Sequence, residues 1–89
     1  MIQQEIEIIN KLGLHARAAA KLVAAAAHFS SNIQIGKDDQ LVDAKSIMSV
    51  MLLAASKGTV LNVEISGNDE QEAWQAIETL IQNRFEEAE

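Results

Sequence analysis

A chain of 89 residues suffices for one small domain, which we expect to span residues 1–89 and to bury roughly 60–65 % of its unfolded surface. Its lack of cysteine excludes disulfides and thiolate metal sites, and its formal net charge of −6 argues against nucleic acid as a partner. The two histidines lie far apart and carry no metal-binding signature, so we expect neither a metal nor another cofactor.

The charge is distributed unevenly along the chain. Residues 11–21 carry only positive charges, whereas the last dozen residues contain the acids Glu78, Glu86, Glu87 and Glu89. No apolar run is long enough to span a membrane, and the N-terminus lacks a basic region followed by an apolar stretch. We therefore expect a soluble cytoplasmic protein that does not insert into membranes.

The first element is predicted to be a strand over residues 2–9. Its apolar residues alternate with polar ones, which indicates one buried and one solvated face. The buried face consists of Ile2, Ile6 and Ile8, and the solvated face of Gln3, Glu5 and Glu7.

The next segment, Lys11–Lys21, places a histidine where the first strand meets the first helix. Gly13 permits a sharp turn, and the composition becomes strongly helical from Ala16 onward, so His15 lies at or just before a helix N-terminus. An anion held there could accept hydrogen bonds from the amides of Ala16 and Arg17 and from the Arg17 guanidinium. Cationic surroundings favour a neutral, nucleophilic imidazole. The arrangement is typical of a histidine that carries a phosphoryl group, although spacing alone leaves an ordinary exposed or capping histidine open.

The first helix is predicted to run from about Ala16 to His28. Its narrow apolar stripe of small residues would allow close approach to a sheet, and it consists of Ala19, Leu22, Val23 and Ala26. His28 lies near the helix C-terminus, where a partial positive charge is favourable, and we assign it a structural role.

Strands two and three are predicted at Asn32–Lys37 and Gln40–Val42, joined by a polar turn at Asp38-Asp39. Ser46 is the predicted N-cap of a second helix that is apolar nearly all round. So short a helix cannot bury every apolar side chain, so we expect some of Ile47, Met48 and Met51 to remain exposed and to bind a partner. The pattern alone slightly favours the alternative that these residues are core.

Gly58 is the predicted left-handed cap that ends this helical region. Strand four is predicted at Thr59–Ser66, followed by a turn with Asp69 as N-cap and a third helix to about Phe85. The buried face of that helix is predicted to consist of Ala73, Trp74, Ile77, Leu80 and Ile81. The element order β-α-β-β-α-β-α predicts a two-layer α+β domain with an antiparallel sheet covered by helices on one face.

Two motifs resemble those of the HPr family of histidine phosphocarriers, and the likeness extends over essentially the whole chain. They are Gly-Leu-His-Ala-Arg at 13–17 and Lys-Ser-Ile-Met at 45–48. The resemblance implies an open-faced β-sandwich with the strand order 1-4-2-3. One departure is Ala18, because the family most often has proline after the arginine; alanine also forms helix there and removes no phosphate ligand.

The resemblance also implies a function in the phosphoenolpyruvate-dependent phosphotransferase system. Enzyme I would phosphorylate His15 at Nδ1, and the carrier would pass the group to enzyme IIA domains for sugar uptake or its regulation. Arg17 and the backbone amides of Ala16 and Arg17 would stabilise the phosphoryl oxygens. Ser46 would be a regulatory site for HPr kinase/phosphorylase. The expected docking surface consists of Ala20, Ile47, Met48 and Met51. Such a protein is expected to be a monomer and a carrier rather than an enzyme.

Three other functions share some of these sequence features. The nitrogen-related branch of the family, NPr, serves a regulatory enzyme IIA, and both Ala18 and the acidic C-terminal end resemble proteobacterial chains, including those of that branch. A regulatory binding module could use the second helix without phosphoryl transfer, but such family members lack the active histidine. A small nucleic-acid or peptide-binding domain is disfavoured by the acidic balance and the scarcity of aromatic residues.

Overall fold

Strands and amphipathic helices follow one another in the predicted order β-α-β-β-α-β-α. The computed structural model describes all of residues 1–89. Its strands are β1 (Ile2–Glu7), β2 (Asn32–Lys37), β3 (Gln40–Asp43) and β4 (Val60–Ser66), and its helices are α1 (Ala16–Ala27), α2 (Ile47–Leu52) and α3 (Glu70–Gln82). A short turn at Arg84–Glu86 follows α3. None of the helices combines the length and the apolar character that crossing a membrane requires.

The four strands form one antiparallel sheet in the order β1-β4-β2-β3. Register is set by apolar side chains: Ile2 pairs with Ile65 across β1 and β4, and Ile35 pairs with Val63 across β2 and β4. Because side chains alternate between the faces of a strand, this register directs the apolar set of β4 toward the helices. The α+β fold class and the strand order implied by the resemblance are both confirmed.

The core lies between the sheet and the helices. The buried residues of α1 are mostly alanines; they are Ala18, Ala19, Leu22 and Ala26. This helix packs against α2 and α3 rather than closely on the sheet, where its small residues had suggested it would lie. The third helix buries Ala73, Ile77 and Ile81. Three side chains predicted for the buried faces lie at the edge of the core and are only partly buried: Val23, Trp74 and Leu80.

The ends of α2 and α3 differ from the prediction. The second helix ends at Leu52, because the chain then turns to bury Leu53, and Gly58 is therefore not its cap. Gly58 lies in the turn before β4, with φ of +92° and its N–H donating to the Ile8 carbonyl at 2.7 Å. The third helix ends at Gln82, and Phe85 turns back with positive φ to become fully buried.

Asp69 has the position of an N-cap for α3, but its side chain does not cap the helix. Its carboxylate instead accepts hydrogen bonds from the backbone N–H of Ser30 at 2.9 Å, from that of Ser31 at 3.0 Å, and from the Ser31 hydroxyl. These bonds tie the entry to β2 to the start of α3. The Ser31 hydroxyl, together with the two amides, lowers the pKa of Asp69 from 3.8 to about 2.

We predict that Asp69→Asn lowers the melting temperature at pH 7 by several degrees, because an amide nitrogen would face a donor N–H. The carboxylate is stabilising when ionised, so its contribution is complete above pH 3.8 and is lost as the pH falls through about 2. The difference in melting temperature between wild type and variant should therefore shrink as the pH falls from 3.8 to about 2.

Asp39→Asn is the matched control, because Asp39 is exposed in the turn between β2 and β3. Thermal unfolding followed by circular dichroism measures both variants. An Asp69 effect of the same size at pH 2 as at pH 7 would contradict the assignment.

Candidate functional site

His15 is the N-cap of α1. Its backbone is extended, with φ of −74° and ψ of 179°, and its carbonyl accepts the first helical hydrogen bond from the Ala19 N–H at 2.8 Å. Its Nδ1 accepts a hydrogen bond from the Arg17 N–H at 3.2 Å. The predicted position at the helix start is confirmed, and so is the capping role weighed as the alternative. Capping does not exclude chemistry, because so long a bond leaves the amide available to a phosphoryl oxygen.

The turn that presents His15 depends on a close approach between two loops. Gly13 has φ of +68°, and a Cβ there would lie 2.6 Å from the Ala55 carbonyl oxygen. That same oxygen accepts a hydrogen bond from the Leu14 N–H at 2.8 Å. Two separate reasons therefore require glycine here: the positive φ, and the lack of space for a Cβ. The bond fixes the loop before α1 to the loop after α2.

Glu87 contacts the other ring nitrogen of His15. Its Oε2 pairs with Nε2, and its Oε1 accepts a hydrogen bond at 3.0 Å from Asn10 Nδ2. Asn10 is fully buried and also donates to the Gly13 carbonyl at 2.7 Å, so it joins the turn to the C-terminal segment. Burial raises the pKa of Glu87, but hydrogen bonds from Asn10 and His15 and the positive charge of Arg17 hold that pKa below its usual range.

The expectation of purely cationic surroundings for His15 was therefore wrong. The sequence showed Glu87 only as one acid among several near the C-terminus, 72 residues from His15. What brings it back is the burial of Phe85, which anchors the segment that follows α3. A lone aromatic residue among acids was the one signal in the sequence that this segment packs against the core.

Two basic side chains on α1 line the exposed side of the site. Arg17 is exposed and enters none of the ion pairs of the structure. Lys21 donates to the Phe85 carbonyl at 2.7 Å and pairs with Glu86 at 3.3 Å. Lys21 is therefore committed to the C-terminal segment, whereas the Arg17 guanidinium is available to a ligand. His28 is the exposed C-cap of α1, at the other end of the helix from His15.

The second helix exposes an apolar surface, which we call the α2 patch: Ile47, Met48, Met51 and Leu52. The exposed fractions of these side chains are 40 %, 74 %, 44 % and 81 %. The prediction that Ile47, Met48 and Met51 remain exposed is confirmed, and the core alternative is wrong for them; Leu52 was not predicted. Ser46 caps the helix, with its Oγ accepting from the Ser49 N–H at 3.4 Å. Ala20 is exposed on α1, which packs against α2.

A family model, two curated relatives and a solved structure to which this chain is similar all carry the name HPr. A family model described as "PTS HPr component phosphorylation site" matches residues 2–83. "Phosphocarrier protein HPr" of Xylella fastidiosa is 54% identical over 87 residues, covering 98% of each chain. The protein of the same name from Cupriavidus necator is 53% identical over 89 residues, covering 100% of each. The crystal structure of HPr-C-His from Thermoanaerobacter tengcongensis superposes with a TM-score of 0.96 at 47% identity, again over 100% of each chain.

Proposed function

The chain belongs to the HPr family of phosphocarrier proteins, and on that premise we propose that His15 accepts a phosphoryl group from phosphorylated enzyme I and passes it to enzyme IIA components. The observation that carries the proposal is the position of His15 as the N-cap of α1, with Nδ1 beside the Arg17 N–H. This places one nucleophilic nitrogen next to the positive end of a helix dipole.

The transfer step follows from this geometry. The Nδ1 lone pair forms a bond to phosphorus, while the bond to the donor nitrogen of enzyme I breaks and leaves its electron pair on that nitrogen. The backbone N–H groups of Ala16 and Arg17 lie in the first turn of α1, where they lack intrahelical partners, and they donate to the phosphoryl oxygens. The Arg17 guanidinium adds a bidentate donor. Passing the group to enzyme IIA reverses these roles, so the protein acts as a carrier.

Partner docking is assigned to the α2 patch together with Ala20. An exposed apolar surface of this kind is typical of an interaction site, and methionine adapts to different partners. A carrier must release each partner, so we expect interfaces below about 1,200 Å² in total. The sugar-related branch is favoured over the nitrogen-related branch because the curated relatives described above are named HPr.

The central experiment incubates the protein with phosphoenolpyruvate and either the sugar-related or the nitrogen-related enzyme I. We predict one acid-labile, base-stable adduct in wild type and none in His15→Ala, with faster labelling by the sugar-related enzyme. His28→Ala is the matched control and should be labelled like wild type, because His28 is at the opposite end of α1. Labelling of the His15→Ala chain would refute the proposal.

The same assay tests the role of Arg17. Arg17→Ala should slow phosphorylation at least tenfold, which corresponds to about 1.4 kcal/mol of barrier. Its melting temperature should barely change, because the side chain is exposed. A large loss of stability with unchanged transfer would instead make Arg17 a structural residue.

The docking assignment predicts that Met48→Glu weakens binding to enzyme I at least about tenfold, because a desolvated charge would lack a partner in the interface. The fold should persist, since the Met48 side chain is 74 % exposed. Val60→Glu is the matched control, with a side chain 49 % exposed at the start of β4. Binding can be measured by calorimetry; equal losses for the two variants would argue against a specific patch.

Ser46 is proposed as a regulatory phosphorylation site for HPr kinase/phosphorylase as well as a cap. Negative charge at the start of α2 favours the helix but would lie beside Ile47 and Met48 and repel an acidic partner surface. We predict that Ser46→Asp keeps or raises the melting temperature yet slows phosphorylation of His15, and that added salt reduces the loss. Ser66→Asp, at the exposed end of β4, is the control. A wild-type rate for Ser46→Asp would leave Ser46 as a cap alone.

A further inference from the structure

We propose that Glu87 is a positioning residue for phosphoryl transfer: its carboxylate holds the Nε2–H of His15, which keeps the Nδ1 lone pair available and balances the positive charge that develops on the ring. The inference rests on the proposed function of His15 and extends it to a residue of the C-terminal segment. It is carried by the contact between Glu87 Oε2 and His15 Nε2.

The two hydrogen bonds of the imidazole require the same tautomer. Nδ1 accepts from the Arg17 N–H, so it must carry a lone pair, and Nε2 therefore carries the proton and donates to Glu87. A carboxylate that receives a ring N–H fixes the orientation of the ring and increases the electron density on the other nitrogen. The nitrogen left free to react is Nδ1.

The C-terminal segment that supplies Glu87 is fixed at several points on either side of it. Phe85 is fully buried, and its carbonyl accepts from Lys21 Nζ at 2.7 Å. The Glu89 carbonyl accepts from the Lys11 N–H at 2.6 Å, and Asn10 Nδ2 holds Glu87 itself at 3.0 Å. The side chain of Glu87 is only 15 % exposed. Its contact with His15 is therefore held by the fold rather than by a free tail.

The backbone of this segment is also strained. Arg84, Phe85 and Glu86 have φ of 55°, 54° and 65°, a region that residues with a Cβ rarely adopt. Strained backbone persists where the surrounding contacts fix it, and it concentrates at functional sites. The three residues reverse the chain after α3, and the reversal is what returns Glu87 to His15.

A small phosphoryl donor isolates the chemistry from docking. In the reaction with phosphoramidate, the Nδ1 lone pair forms the N–P bond while the P–N bond of the reagent breaks, and the electron pair and the proton remain with the departing ammonia. The Nε2 proton stays on the ring and is shared with Glu87. The ring becomes positively charged as the bond forms, so the Glu87 carboxylate stabilises the transition state more than the neutral ground state.

The experiment measures the second-order rate constant of His15 phosphorylation by phosphoramidate at pH 8, followed by phosphorus NMR, for wild type, Glu87→Gln and Glu86→Gln. The two variants lose the same charge from adjacent positions, but Glu86 pairs with Lys21 rather than with His15. Melting temperatures and the ring Nε2–H proton resonance of His15 are recorded for each chain. The same three chains are then phosphorylated by enzyme I.

We expect Glu87→Gln to react about tenfold more slowly with phosphoramidate, the scale of a lost charge-assisted hydrogen bond, while Glu86→Gln stays within about twofold of wild type. The downfield Nε2–H resonance should shift only in Glu87→Gln, and the melting temperatures should stay close. A merely structural contact would change the melting temperature without changing the rate constant.

A wild-type or faster phosphoramidate reaction of Glu87→Gln would overturn the inference, as would equal slowing of both variants, which would indicate bulk charge. If wild type accepts nothing from enzyme I while the phosphoramidate contrast appears as expected, the proposed function fails and the role of Glu87 on the imidazole stands. The experiment therefore distinguishes failure of the proposed function from failure of the role assigned to Glu87.

Discussion

The Leu14–Ala55 hydrogen bond is the contact on which the arrangement of the site depends. It holds the loop before α1 against the loop after α2 at 2.8 Å, and only glycine at position 13 leaves room for that approach. Because the two loops are joined, the N-cap of α1 and the exposed face of α2 have a fixed relative position. A partner that seats on the α2 patch would therefore meet His15 at a defined place, which is what an in-line transfer between two proteins requires.

The His15 side chain caps α1 with the same nitrogen that is proposed to accept the phosphoryl group. Ser, Thr, Asp and Asn are the usual caps because a short oxygen reaches the amide of the second or third helical residue. Here Nδ1 accepts from Arg17 N–H instead, over 3.2 Å. The Arg17 amide thus has an acceptor in the unphosphorylated protein, and a phosphoryl group on Nδ1 would bring oxygens to this amide and to that of Ala16. In the proposed function these donors would change acceptor without a change of fold, so loading and unloading of the phosphoryl group would have a small conformational cost.

The sequence predicted the elements well because most of them are defined by local periodicity. Alternating apolar residues located β1 and β4, and the polar residue at 46 located the start of α2. The predictions were wrong where a residue that usually caps a helix instead forms contacts with residues distant in the sequence. Asp69 was expected to cap α3 but clamps Ser30 and Ser31, and Gly58 was expected to end α2 but turns the chain into β4. The Glu87 contact was not foreseen at all, because nothing local marks a residue that reaches 72 positions back.

The distribution of charge about the imidazole is compatible with the proposed phosphoryl site on a chain whose net charge is −6. The amide donors and the positive end of the helix dipole lie on the Nδ1 side, whereas the Glu87 carboxylate is on the Nε2 side. Each of these charges acts mainly on the ring nitrogen beside it. Salt screens the effect of acids that lie more than about 10 Å away. A carboxylate that would repel a phosphoryl group beside Nδ1 can therefore assist the same nitrogen from across the ring. In the proposed transfer, the local order of charges, rather than their sum, would decide which nitrogen accepts the phosphoryl group.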